Sequence, residues 1–154
     1  MYFLTVLLVM IVLPVLSIAS ERYFYHSSAP LLLLTGKWFV FWGAGVRLFG
    51  AGVRQLFQPR FTVEKIFGLS NDDTLPIVRE LGIANLATGG VGILSLSKPS
   101  FVLPVAIAGA LFYGLAGIRH ATDKGRNLNQ NLAMVTDLFT SAVLIIYARY
   151  SFFV

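Results

Sequence analysis

The chain has 154 residues, 56% of them hydrophobic and 12% charged, with a mean hydropathy of +0.76 and a formal net charge of +5. A soluble domain of this size needs far more polar surface, so composition alone makes this an integral membrane protein. The basic residues stand singly at the ends of apolar runs rather than in a stripe with interleaved aromatics, which excludes nucleic acid as a partner. The absence of cysteine excludes disulfides, thiolate metal sites, iron–sulfur clusters and a cysteine nucleophile.

Residues 2–20 form an apolar run long enough to cross a hydrocarbon core of about 30 Å. No positive stretch precedes it, so it reads as an uncleaved span rather than a signal peptide, with Pro14 tolerated as a kink. A second span covers 32–57 and ends at Gln58-Pro59; Lys37-Trp38-Phe39 near its start has the form of an interfacial anchor. Inside this span a seven-residue unit occurs twice in succession, Gly43-Ala44-Gly45-Val46-Arg47-Leu48-Phe49 and Gly50-Ala51-Gly52-Val53-Arg54-Gln55-Leu56. On an ideal helix Gly43, Arg47, Gly50 and Arg54 share one face, so each arginine has a residue without a side chain four positions before it. Arg47 is then roughly 15 Å from either end of a helix running from Lys37 to Phe57, and Arg54 about 5 Å from the Phe57 end.

The stretch 60–70 is polar with spaced apolar residues and reads as an amphipathic cytoplasmic segment on the membrane surface, with a solvated loop as the alternative. Asn71-Asp72-Asp73-Thr74 before Pro76 is a helix-start signal in which Asp or Thr caps the free amides. The third span, 75–96, carries Gly82, Asn85, Gly89 and Gly92 at helical spacing as a small, polar face. Ser97-Lys98-Pro99-Ser100 breaks the chain, and a fourth span follows over 101–118 with Ala106, Ala110, Gly114 and Gly117 for close contact; the two spans make an antiparallel hairpin. After a basic loop, the fifth span covers 132–150 with a single carboxylate, Asp137, and an aromatic end. The whole chain is one transmembrane domain, 1–154. Seven lysines and arginines on the side of Arg54, Arg60 and Arg119 against four on the other place the amino terminus in the cytoplasm.

Charges inside a bilayer are costly unless they face protein or water, so the arginine face should turn into the bundle. Asp137 lies about 8–12 Å into its span, between the depths of Arg47 and Arg54. The expectation is that it pairs with one of them, and that Glu80, Asn85 and Tyr113 complete a polar cluster. That cluster either staples the bundle or binds a polar or anionic ligand or a proton. The helix-packing positions are Gly43, Gly50, Gly82, Gly89, Gly92, Gly114 and Gly117.

Other chemistry finds no support. His26 and His120, the only histidines, fall on opposite sides, so no two-histidine metal site forms within one subunit, and His120 reads as an interfacial residue rather than a haem ligand. No Gly-x-Ser-x-Gly motif occurs, and Gly43-x-Gly45 lacks the third glycine and the preceding strand of a dinucleotide fingerprint. No catalytic residue, metal or cofactor is therefore expected, and a bound lipid or quinone is the ligand class left.

The strings Gly36-Lys37-Trp38-Phe39-Val40-Phe41-Trp42, the two Gly-x-x-x-Arg steps, Arg54-Gln55 through Pro59-Arg60-Phe61-Thr62, and Val78-Arg79-Glu80-Leu81-Gly82 through Ala84-Asn85-Leu86 resemble an uncharacterised family of small bacterial membrane proteins. From Arg47 to Tyr147 the layout is also similar to the DoxX-like families. The resemblance implies an all-α transmembrane bundle of five spans, a four-helix DoxX-like core with 2–20 added in front, in a bacterial cytoplasmic (inner) membrane. DoxX-like proteins are linked with quinone or redox systems, but this chain has no cysteine and no clear redox ligand. Short loops and many small residues favour an accessory or structural subunit packing against other membrane subunits or itself. The other reading is a self-contained binding or transport protein for a lipid, quinone or proton; a membrane enzyme comes third.

Overall fold

In the computed structural model, which describes residues 2–153, five helices are long and apolar enough to cross a membrane: Phe3–Tyr23, Leu31–Phe57, Asp72–Leu94, Pro99–Thr122 and Leu128–Ser151. They are called the first to fifth helices below. No strand occurs among the described residues. This is the architecture of a multi-pass membrane protein.

Local chemistry sets the ends. The fifth helix begins four residues before its expected start because Asn127 caps it: its side chain accepts from the Gln130 amide at 2.9 Å while the Gln130 side chain accepts from the Asn127 amide at 2.8 Å. The third helix is entered as expected near Leu75 with Pro76 in its first turn, but the capping side chain is that of Asn71, which accepts from the Asp73 amide. The first helix continues past residue 20 to Tyr23, and the fourth past residue 118 through Arg119 and His120 to Thr122.

Three stretches are wound as π-helix: Leu8–Val12, Val40–Val46 and Thr62–Ile66. The first precedes Pro14. Proline has no N–H to give the carbonyl four residues back, and the chain widens there, with the Leu13 amide bonding to the Leu8 carbonyl.

Close packing follows the small residues. The second helix is the hub and meets the third backbone to backbone: a Cβ built on Gly45 would lie 2.8 Å from the Gly92 carbonyl carbon, one on Gly52 2.7 Å from the Gly82 oxygen, and one on Gly89 2.3 Å from the Phe49 nitrogen. The fourth and fifth helices meet through Gly109, Gly114 and Gly117, which lie against Leu144, Ser141 and Leu138 in antiparallel order. The third and fourth helices follow each other through a short turn, as expected, but their small faces do not meet. They are sequence neighbours, but the third gives its small face to the second helix and the fourth gives its own to the fifth. Two glycine-lined backbones facing each other come closer than either can to a face bearing side chains, and that closeness maximises dispersion.

The first helix adds Val6 and Met10 to a core that includes Val40, Ala44, Leu48, Ala106, Tyr113 and Leu144. It is tied to the second by Trp42 Nε1 donating to Ser17 Oγ at 2.9 Å and by Glu21, which accepts from Lys37 Nζ at 2.8 Å and from Trp38 Nε1 at 2.6 Å. Lys37 and Trp38, read from sequence as an interfacial anchor, thus serve a contact between helices. The segment 59–66 is helical, with one face docked on the bundle: Pro59, Thr62 and Val63 are buried, and Asn129 Nδ2 donates to the Lys65 carbonyl.

Candidate functional site

Two contacts fix how the second and fifth helices run past each other. Gly36 lies under the Tyr147 ring and Gly43 beside Thr140, whose Cγ2 would be 3.4 Å from a Cβ on that glycine. The next turn of the second helix carries Arg47, and the preceding turn of the fifth carries Thr136 and Asp137. Asp137 is 6% exposed, and Arg47, half-buried, is the charged group that acts on it electrostatically. Asp137 Oδ1 is buried without a hydrogen-bond partner, as is the Oγ1 of Thr140 one turn further along. The neighbouring Thr136 hydroxyl is committed, donating to the Leu132 carbonyl at 2.8 Å.

The π-helical turn borders Thr140 through Gly43. The Arg47 amide bonds to the Trp42 carbonyl, five residues back, instead of to Gly43 as an α-helix requires. The Gly43 carbonyl is left facing the bundle, and the Tyr113 hydroxyl donates to it at 2.5 Å. A buried backbone acceptor in an apolar interior needs such a donor, which explains a tyrosine at 1% exposure in the middle of the fourth helix.

The expected cluster therefore resolves into two centres and two surface residues. Asn85 does not join Asp137; its Nδ2 donates to Gln55 Oε1 at 2.8 Å in a buried amide pair between the third and second helices. Arg54 is exposed, with its guanidinium 4.4 Å from the centre of the Phe61 ring, two turns beyond Arg47. Glu80 is also exposed, on the side of the third helix away from Gly82 and Asn85. The proposed common face of Gly43, Arg47, Gly50 and Arg54 fails for the same reason that frees the Gly43 carbonyl: π winding through Val40–Val46 puts Gly43 out of step with the α-helical residues after it. Gly43 is buried, whereas nothing lies within 4 Å of a Cβ on Gly50. The close-packing glycines of the repeat are Gly45 and Gly52, the second glycine of each unit. Gly82, Gly89, Gly92, Gly114 and Gly117 all make close inter-helix approaches.

Gln55, Thr140, Ser141 and Glu21 were not singled out from sequence. Gln55 had a signal, since it replaces an apolar residue at the sixth position of the repeat, where the first unit has Leu48. Thr140 and Ser141 had none, because hydroxyl residues are common on membrane helices; Ser141 Oγ donates to the Ala110 carbonyl at 2.8 Å. His120 sits in the last turn of the fourth helix, and no group of three metal-ligating side chains occurs among the described residues. The loop after it is held by Arg126, which donates to the carbonyls of His120, Ala121 and Asp123.

Chemically, the Asp137 centre offers a carboxylate oxygen and a hydroxyl, both enclosed and uncommitted, within electrostatic reach of the Arg47 guanidinium; the expected direct ion pair of Asp137 with Arg47 or Arg54 does not form among the described residues. Compared with known proteins, the chain matches no curated protein and no solved structure. A family model does match it, over residues 1–151, and on that span the chain belongs to DUF6790, a family of unknown function.

Proposed function

We propose that this protein is a self-contained membrane unit that takes up and passes a proton at Asp137, with Arg47 as the fixed counter-charge. The observation that carries this reading is the buried, uncommitted Oδ1 of Asp137 beside the equally uncommitted Thr140 Oγ1. Thr140 and Tyr113 are almost wholly enclosed, so a proton suits so closely packed a centre better than a lipid or quinone headgroup. Intramembrane carboxylates facing a bundle interior recur in proton pathways, and the arginine lowers the cost of ionising this one. The tight glycine approaches are spent within the chain, which supports a unit that is complete by itself. The Lys and Arg distribution and the sequence motifs support a bacterial cytoplasmic membrane, the amino terminus inside, and a DoxX-like arrangement of the second to fifth helices.

Purified protein in phospholipid vesicles with a trapped pH dye tests the reading. Wild type should collapse an imposed pH gradient faster than Asp137→Asn, with both proteins equally helical. Equal rates for wild type, Asp137→Asn and empty vesicles would overturn it. A second reading, an accessory subunit of a larger complex, draws on the open small residues Gly50 and Gly90 of the second and third helices. A stoichiometric larger partner after extraction in mild detergent would establish that reading instead.

A further inference from the structure

A cleft of about 410 Å³ lies where the first, second and fifth helices meet, and Asp137 is not among the residues that line it. Its walls are Ile18 and Ala19 of the first helix, Phe39 of the second, and Phe139 and Val143 of the fifth. Arg22 and Tyr23 stand at its mouth. We propose that this cleft holds one acyl chain of an anionic phospholipid, with the lipid phosphate on Arg22. This proposal is independent of proton uptake at Asp137.

The volume is within the range of about 300–1,000 Å³ typical of ligand sites. From Val15, at the end of the cleft further from the helix terminus, to Arg22 is about 10 Å along the helix axis, so the apolar wall and the cationic rim are spaced as tail and headgroup are. The rim charge is available. Glu21, the adjacent carboxylate, is already engaged by Lys37 and Trp38. Arg22 donates one bond, from Nη1 to the Ser27 carbonyl at 2.6 Å, and makes no ion pair with a carboxylate among the described residues. That single bond fixes the guanidinium at the end of the helix and leaves further donors in a planar fork suited to phosphate oxygens. Arg22 also sits in the last turn, where the helix dipole favours a cation, and a membrane-spanning first helix that ends at Tyr23 puts it at headgroup depth. An apolar slot opening sideways to lipid, closed at the interface by an unneutralised arginine, fits a bilayer lipid with a negative head.

The experiment incorporates the protein into vesicles of equal phosphatidylglycerol and phosphatidylcholine, extracts it in mild detergent and counts retained lipid by native mass spectrometry. Both lipids carry the phosphate, but the quaternary ammonium of phosphatidylcholine neutralises it and repels Arg22, so wild type should retain phosphatidylglycerol in preference by about tenfold. Arg22→Gln should abolish the preference without changing helicity. Ala19→Phe, which fills the slot, should lower retention of both lipids. Arg60→Gln, whose guanidinium is already paired with Asp72 and does not line the cleft, should change nothing. Equal retention of the two lipids by wild type, an undiminished preference in Arg22→Gln, or loss of preference in Arg60→Gln would each overturn the proposal. Because the readout is bound lipid, it stands or falls separately from any proton flux.

Discussion

Adjacent glycines on the third helix have opposite surroundings, and that contrast gives the sharpest test of how the bundle is held. A Cβ on Gly89 would lie 2.3 Å from the Phe49 nitrogen and 2.7 Å from its Cα, about 1 Å short of the 3.4 Å at which ordinary contact begins. The obstructing atoms are backbone, so no rotamer change relieves the clash and the second and third helices must part by about that distance. A gap of this size forfeits a quarter to a half of the dispersion energy of every contact along the seam, including those at Gly45, Gly52, Gly82 and Gly92. Overpacking costs about 1–3 kcal/mol in general, and a rigid obstruction puts Gly89→Ala at about 2–3 kcal/mol. Gly90→Ala meets nothing within 4 Å and should be neutral or stabilise by up to about 1 kcal/mol through helix propensity. The two variants should therefore differ by about 3 kcal/mol, more than a hundredfold in the folding equilibrium. Equilibrium unfolding in mixed micelles, titrated with a denaturing detergent and followed by tryptophan fluorescence and circular dichroism, measures this difference. Equal stability of the two variants, or a destabilised Gly90→Ala, would refute a backbone-to-backbone seam between these helices.

The buried amide pair should behave as a unit: Gln55→Leu and Asn85→Leu should each destabilise, while the double variant recovers part of the loss. A double-mutant cycle by the same unfolding measurement should give a coupling of about 0.5–2 kcal/mol, and additive losses would show that the 2.8 Å bond contributes nothing. Tyr113→Phe should cost about 1–2 kcal/mol by removing the donor from the Gly43 carbonyl while leaving the ring in place. Isotope-edited infrared spectroscopy of a labelled Gly43 carbonyl should then show its stretch move to higher frequency, and an unmoved band would mean that the hydroxyl bonds elsewhere.

The number of helices and their approximate bounds were legible in the sequence, because hydrocarbon thickness and the need to satisfy every backbone group inside it leave one solution for an apolar run of this length. The glycine rows of the third and fourth helices could be read in the same way, since absent side chains mark where backbones approach. The importance of Asp137 followed from the cost of a carboxylate at that depth, and depth narrowed its partner to Arg47 or Arg54; that Arg47 is the charge acting on it came from the fold. What the tertiary structure alone decided is which faces meet. Helical periodicity assumes a constant 100° per residue, and π winding at Val40–Val46 breaks that assumption, putting Gly43 out of step with Arg47, Gly50 and Arg54 while giving Tyr113 its acceptor. The choice of partner for each small face, second helix with third and fourth with fifth, depends on the closest approach two whole surfaces can achieve, a property of pairs of helices that no single stretch of sequence contains.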